Sequence, residues 1–207
     1  MGRKKHRKQQ VLEDEFEINF KGFTYTITRI PDDFPMDSLD EGLMKEKLEE
    51  YTKIRSENPE AAVPFLWDLI EDFPQFFYSY VMLGSHYLDR GDLDSLKIVS
   101  ELALKEHPDS LRILTMLGQD SVVQQFENAI PPVFQNKTTL KELYPRKTHY
   151  FHADFAVFTF IMGWYFFRMN DLDQCLQYTL LLEKYDLPLI KEFEDIMQSM
   201  IEELKTA

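Results

Sequence analysis

The chain has 207 residues, a length that suits one domain, or one domain with an appendage, and can bury a substantial core. Seventeen Phe and ten Tyr against only seven Gly favour helices over a turn-rich β protein. Net charge is −13, yet residues 1–8 hold five Lys or Arg and no acid, leaving −18 on the remainder, an acidic body that repels nucleic acid unless a local basic patch overrides it. The single cysteine, Cys175, excludes an intramolecular disulfide and fits a reducing compartment, so a cytoplasmic setting is expected. The basic start is followed by Gln9-Gln10 and Glu13-Asp14-Glu15, not by an apolar segment, so no signal peptide is expected. The longest apolar run, Phe155 to Phe167, lies between Asp154 and Arg168, is too short to span a bilayer and reads as a buried helix.

In chain order, residues 1–10 form a basic tail, Arg3-Lys4-Lys5-His6-Arg7-Lys8, expected to be disordered. Two readings stand for it: contact with RNA, an anionic membrane or an import receptor, and a merely solvated terminus. Within 11–30, Phe16-Glu17-Ile18-Asn19-Phe20 and Phe23-Thr24-Tyr25-Thr26-Ile27 alternate apolar with polar around Lys21-Gly22, which predicts a β-hairpin. A lone hairpin is marginal, so its apolar face is expected to cap the open end of the first helical unit. Residues 31–42 read as an acidic, proline-containing linker, and 43–207 as a helical domain with an inserted loop near 131–152.

Helical pairs are predicted at 42–55 with 60–73, then within 80–108. In the second pair Tyr80, Leu83, Gly84 and Tyr87 share one helix face, and Gly84 lets a neighbouring helix come close. Gly91 supplies the turn, Asp92 caps the next helix, and Leu93, Leu96, Val99 and Ala103 line it up to Pro108. A third pair opens at Leu111–Gly118 and runs through Val122–Ala129 until Pro131-Pro132. A fourth follows at 154–169 and 171–184, and a last helix at 188–204 carries Lys191, Glu192, Glu194 and Glu202 on one side as a terminal cap.

The spacing of Tyr80, Leu83, Gly84, Tyr87, Gly91, Ala103 and Pro108 resembles the tetratricopeptide repeat, a helix-turn-helix unit of about 34 residues. Leu96 and Ser100 depart from it, standing where the family has a small residue and an aromatic one. Stepping forward from Gly84 reaches Gly118, and Gly163 follows 45 residues later, one period plus an insertion of 11. Asn170-Asp171-Leu172-Asp173 mirrors Gly91-Asp92-Leu93-Asp94, so the resemblance implies about four units in an all-α solenoid with an N-terminal hairpin cap.

The resemblance further implies a concave surface built by the first helix of each unit, which accepts a partner peptide or helix. Tyr51 and Arg55 would contribute from the first unit, and Tyr78, Val81, Ser85 and Leu88 from the second. The third would add Arg112 and Gln119, the fourth Phe160, Trp164, Phe167 and Arg168. That last, aromatic set is either a hot spot for a hydrophobic ligand or is covered by the loop or the C-terminal helix. The family subtype that grips a C-terminal carboxylate is not matched, because Tyr51, Met82 and Met116 replace its polar residues.

Separately, residues 135–152 gather Lys137, Lys141, Arg146 and Lys147 against a single Glu142, with Tyr144, Tyr150 and Phe151 interleaved. This is either a patch for an anionic partner or a loop that neutralises acidic neighbours. No phosphate-binding glycine loop, zinc motif or paired-cysteine spacing is present, and His149, His152 and Asp154 fix no metal geometry. The expected function is a non-enzymatic scaffold that binds another protein, without cofactor or metal. The alternatives are a chaperone or adaptor shielding a hydrophobic client segment, and an RNA-associated factor using the basic tail and the 135–152 loop, with nucleic acid the less favoured partner.

Overall fold

A computed structural model describes residues 15–29 and 41–206. The basic tail and nearly all of the expected linker lie outside the described residues; Glu41 and Gly42, assigned to the linker, already belong to a helix. The protein is predominantly helical, and among the described residues no helix is long and apolar enough to cross a membrane. Compactness divides it into two units, residues 33–120 and residues 1–32 with 121–207.

The unit of residues 33–120 contains α1 (Glu41–Glu57), α2 (Ala62–Asp72), α3 (Phe77–Arg90), α4 (Leu93–Glu106) and most of α5 (Leu111–Val123). Pro59 opens a 3-10 turn before α2, where its missing amide is not needed. Gly91 takes a φ of 65°, a left-handed conformation that costs glycine nothing, and closes α3 as its N–H donates to Leu88 O at 3.0 Å and that of Asp92 to Tyr87 O at 2.9 Å. Asp92 then starts α4 by accepting from the Ser95 N–H at 3.2 Å. Leu83, Leu96 and Ala103 are fully enclosed between the two helices. A Cβ on Gly84 would overlap the Met116 methyl of α5 and lie 3.4 Å from Leu96 of α4, so the missing side chain lets both helices approach α3.

The other unit holds β1 (Glu15–Phe20), β2 (Phe23–Thr28), the short helices α6 (Ile130–Val133) and α7 (Leu140–Leu143), β3 (His149–Phe151), α8 (His152–Arg168), α9 (Leu172–Lys184) and α10 (Lys191–Thr206). The α8–α9 hairpin repeats the α3–α4 hairpin at an offset of 79 residues. Asn170, φ 57°, stands for Gly91, and the Asp171 N–H donates to Phe166 O at 2.9 Å as that of Asp92 does to Tyr87 O. Asp171 caps α9 by accepting from the Gln174 N–H at 3.2 Å. Gly163 corresponds to Gly84, and a Cβ on it would stand 3.3 Å from the Tyr178 Cβ and 3.9 Å from the Met200 methyl.

The hairpin forms as its alternation predicts. β1 and β2 pair antiparallel, with Phe16 opposite Ile27, Ile18 opposite Tyr25 and Phe20 opposite Phe23, around Lys21 and Gly22 at φ 50° and 79°. Two positive φ values give the turn whose twist matches the strands. The expected seat on the first helical pair is corrected: the hairpin is built into the unit of residues 121–207. β2 pairs parallel with β3, Ile27 opposite Tyr150, and Tyr25 lies 5.8 Å from the Tyr150 ring and 5.5 Å from that of Phe155. At the tip the Lys21 ammonium lies 4.5 Å from the centroid of Tyr178 and 5.5 Å from that of Phe166, and hydrogen-bonds Gln174 Oε1. Aromatic surface and a cation seat, absent from an ordinary helix end, decide this location.

Two further expectations are corrected. The third pair lacks its second helix: α5 runs unbroken to Val123 and stops where Gln125, φ 58°, lets the Phe126 N–H reach Ser121 O at 2.8 Å. Pro131 and Pro132, read as a stop, lie inside α6, in the first turn that tolerates proline. The segment expected as a loop near 131–152 contains α6, α7 and β3, and Thr139 with Glu142 forms a capping box at the start of α7.

Candidate partner-binding surfaces

On the unit of residues 33–120, α1 and the start of α3 line an open cleft of about 610 Å³. Met44, Leu48 and Thr52 recur every four residues along α1 and form one wall, and Tyr78 of α3 closes it. Met44 is buried and Leu48 and Tyr78 are half-buried, so the floor is apolar. Lys45 and Glu49 pair at 3.9 Å on the rim, and the Thr52 hydroxyl donates to Leu48 O at 2.7 Å. Burial raises the Tyr78 phenol above its ordinary pKa, opposed by the nearby Arg112 charge.

The expected groove residues of this unit divide sharply. Tyr78, Val81, Leu88, Arg112 and Gln119 are half-buried, and Arg55 and Ser85 are exposed. Tyr51 is only 6% exposed and belongs to the core. Met44, Leu48 and Thr52 stand one turn apart along α1, whereas the family's positions select the turn centred on Tyr51.

The aromatic set of the other unit is covered. Phe160 is 1% exposed and stacks on Phe193 of α10, with centroids 4.5 Å apart and planes 19° apart. Trp164 is 5% exposed, and the Arg168 guanidinium lies 5.7 Å from its ring while pairing with Glu127 at 3.6 Å. The C-terminal helix thus covers Phe160, and both Phe160 and Trp164 are corrected from surface to core. Half-buried Phe167 and exposed Arg168 line a smaller cleft of about 310 Å³ with Asn170, Leu172, Glu203 and Leu204.

In the basic segment Lys137 and Arg146 are exposed, and Lys141 and Lys147 half-buried. Lys147 Nζ lies 5.9 Å from the Tyr144 ring centroid and 5.5 Å from that of Tyr150, so its stem contributes packing as well as charge. Burial pushes the Glu142 carboxyl up, but hydrogen bonds from the Thr139 hydroxyl and from the Thr139 and Thr138 amides outweigh it and hold the pKa below the usual carboxylate range. His149 is exposed and bonds Thr148, His152 is half-buried and Asp154 buried. Among the described residues no three His, Cys, Asp or Glu come together as a metal site.

His107 ends α4 with its ring edge-on to Phe77 at 5.1 Å and near Tyr80 at 5.9 Å. Burial lowers its pKa, opposed by the Glu106 charge, and burial also lowers that of His86, helped by Arg90. The unfolded chain therefore binds these protons more readily than the folded one. Stability should be complete above the unfolded value of about 6.5 and should fall as pH drops below it, down to the folded value. Urea denaturation between pH 7.5 and 5 should show this slope, and His107→Gln should flatten it; an unchanged slope would exclude His107 as the source.

Paired helices with a duplicated turn, an apolar cleft beside α1 and a sealed aromatic core define a predominantly helical protein. No protein-family model matches the chain, and no curated protein matches it.

Proposed function

We propose that this chain is a non-enzymatic scaffold of tetratricopeptide-like helical hairpins that binds a peptide or helix of another protein on the first-helix face of residues 33–120. The observation that carries the reading is the cleft between α1 and Tyr78, with its apolar floor of Met44 and Leu48 and its self-paired rim of Lys45 and Glu49. Such a surface suits one or two apolar anchor residues set in a polar surround. The repeat reading draws support from the shared glycine, turn and cap of the α3–α4 and α8–α9 hairpins. We place the scaffold in the cytoplasm, where the thiol of buried Cys175, pushed up to about 11 by desolvation and by the Asp171 charge, stays reduced and inert.

A photo-crosslinking residue at exposed Thr52, used in the native host, tests the proposal. One dominant protein adduct is expected, and Leu48→Asp with Tyr78→Ala should reduce it at least about tenfold, the loss that follows from about 1.4 kcal/mol of lost anchor contact. An adduct that persists undiminished in the double variant would remove the cleft from the reading.

A further inference from the structure

We infer that the outward face of α9 is a second docking surface, specific for an amphipathic helix that presents two apolar residues one turn apart between basic residues. The inference comes from comparing the two equivalent hairpins. From their first residues, α4 and α9 alternate between exposure and burial in the same order over nine positions. At the exposed positions where α4 carries Lys97 and Glu101, α9 carries Leu176 and Leu180, 44% and 50% exposed. The single outward apolar residue of that stretch of α4, Ile98, stands between charged neighbours, and its counterpart is Gln177. A solvated helix has no use for adjacent leucines one turn apart, whereas a helix seam requires them.

Charge selects the occupant. Asp173, Leu176, Leu180 and Glu183 follow one another at i, i+3, i+7 and i+10, so an acid brackets the leucine pair at either end of a single stripe. Pairing of this stripe with a second copy puts Asp173 against Glu183 when antiparallel and each acid against itself when parallel. The one cation of α9 itself, Lys184, already lies over the ring of its own neighbour Tyr185, 4.9 Å from the centroid. Self-association is therefore opposed, and Lys or Arg flanking the apolar pair on a different chain is favoured. This surface is independent of the α1–Tyr78 cleft, and either can fail without the other.

The test uses the full chain and two hydrocarbon-stapled helical peptides, each with one leucine pair at i and i+4, bracketed by lysines in one and by glutamates in the other. Fluorescence anisotropy should show the lysine peptide binding at least about tenfold tighter than its acidic twin. Leu176→Lys with Leu180→Glu, which copies α4, should abolish this binding without changing the melting curve, and Asp173→Lys with Glu183→Lys should invert the peptide preference. Should the first variant lose its fold, Leu176→Gln with Leu180→Gln serves in its place. Equal binding of both peptides, no binding of either, or binding that survives loss of the leucines would overturn the inference. So would a wild-type dimer in light scattering that the leucine variants dissociate, since the occupant would then be a second copy.

Discussion

Phe160→Ala is expected to destabilise the unit that contains it by about 3–5 kcal/mol, a large share of the stability of a typical domain. The ring is fully enclosed and stacks on Phe193, so its removal leaves a void between α8 and α10 that a helix packed on two sides cannot collapse to fill. Phe160→Leu retains most of the volume and should cost markedly less. Urea denaturation in a Trp67→Phe background, followed by the fluorescence of Trp164 one turn further along α8, provides the measurement. A loss below about 1 kcal/mol would show that α10 does not seal this face. The same experiment separates core from groove, because a groove residue would weaken partner binding at unchanged stability.

Gly163→Val is expected to cost about 2–3 kcal/mol, even though valine is somewhat the better helix former. The space beside Gly163 is filled by the Tyr178 Cβ, which stays with the backbone of α9, and by Thr179 and Met200. Branched methyl groups can enter only by driving α8 and α9 apart. At Gly84 the obstacle on α5 is the end of a flexible methionine, so Gly84→Ala should lie within about 1 kcal/mol of the parent, the Met116 displacement offsetting the gain in helix propensity. Paired thermal melts of the two variants decide between them. A Gly163→Val loss below about 1 kcal/mol would show that α8 and α9 can open to admit a branched side chain at little cost.

These two sites also mark what could be read from residue order alone. Gly84, Gly91 and Asp92 announce a helical hairpin because each has a local backbone task, and Asn170 and Asp171 announce its copy for the same reason. The burial of Phe160 and Trp164 was equally legible: α8 is apolar almost all round, the mark of a helix covered on every side. Of the two readings open for them, the groove follows the family's geometry and the cover follows that local signal. The end of α5 was hidden, since Gln125 adopts a left-handed conformation that neither glycine nor asparagine advertises. β3 was hidden for another reason: three residues are too few to show alternation, and its partner strand is distant in the chain. The α1 cleft was half visible, with Tyr78 found and the wall of Met44, Leu48 and Thr52 passed over.

The parallel pairing of β2 with β3 has a consequence for biosynthesis. Thr28 leaves the ribosome about 120 residues ahead of Phe151, a delay of roughly 6–24 s at ordinary elongation rates. The Tyr178 ring that receives Lys21 emerges later still. Throughout that interval the nascent hairpin keeps its sticky side without a permanent companion, so slow codons after residue 120 should lengthen the window in which holding chaperones engage the newborn chain.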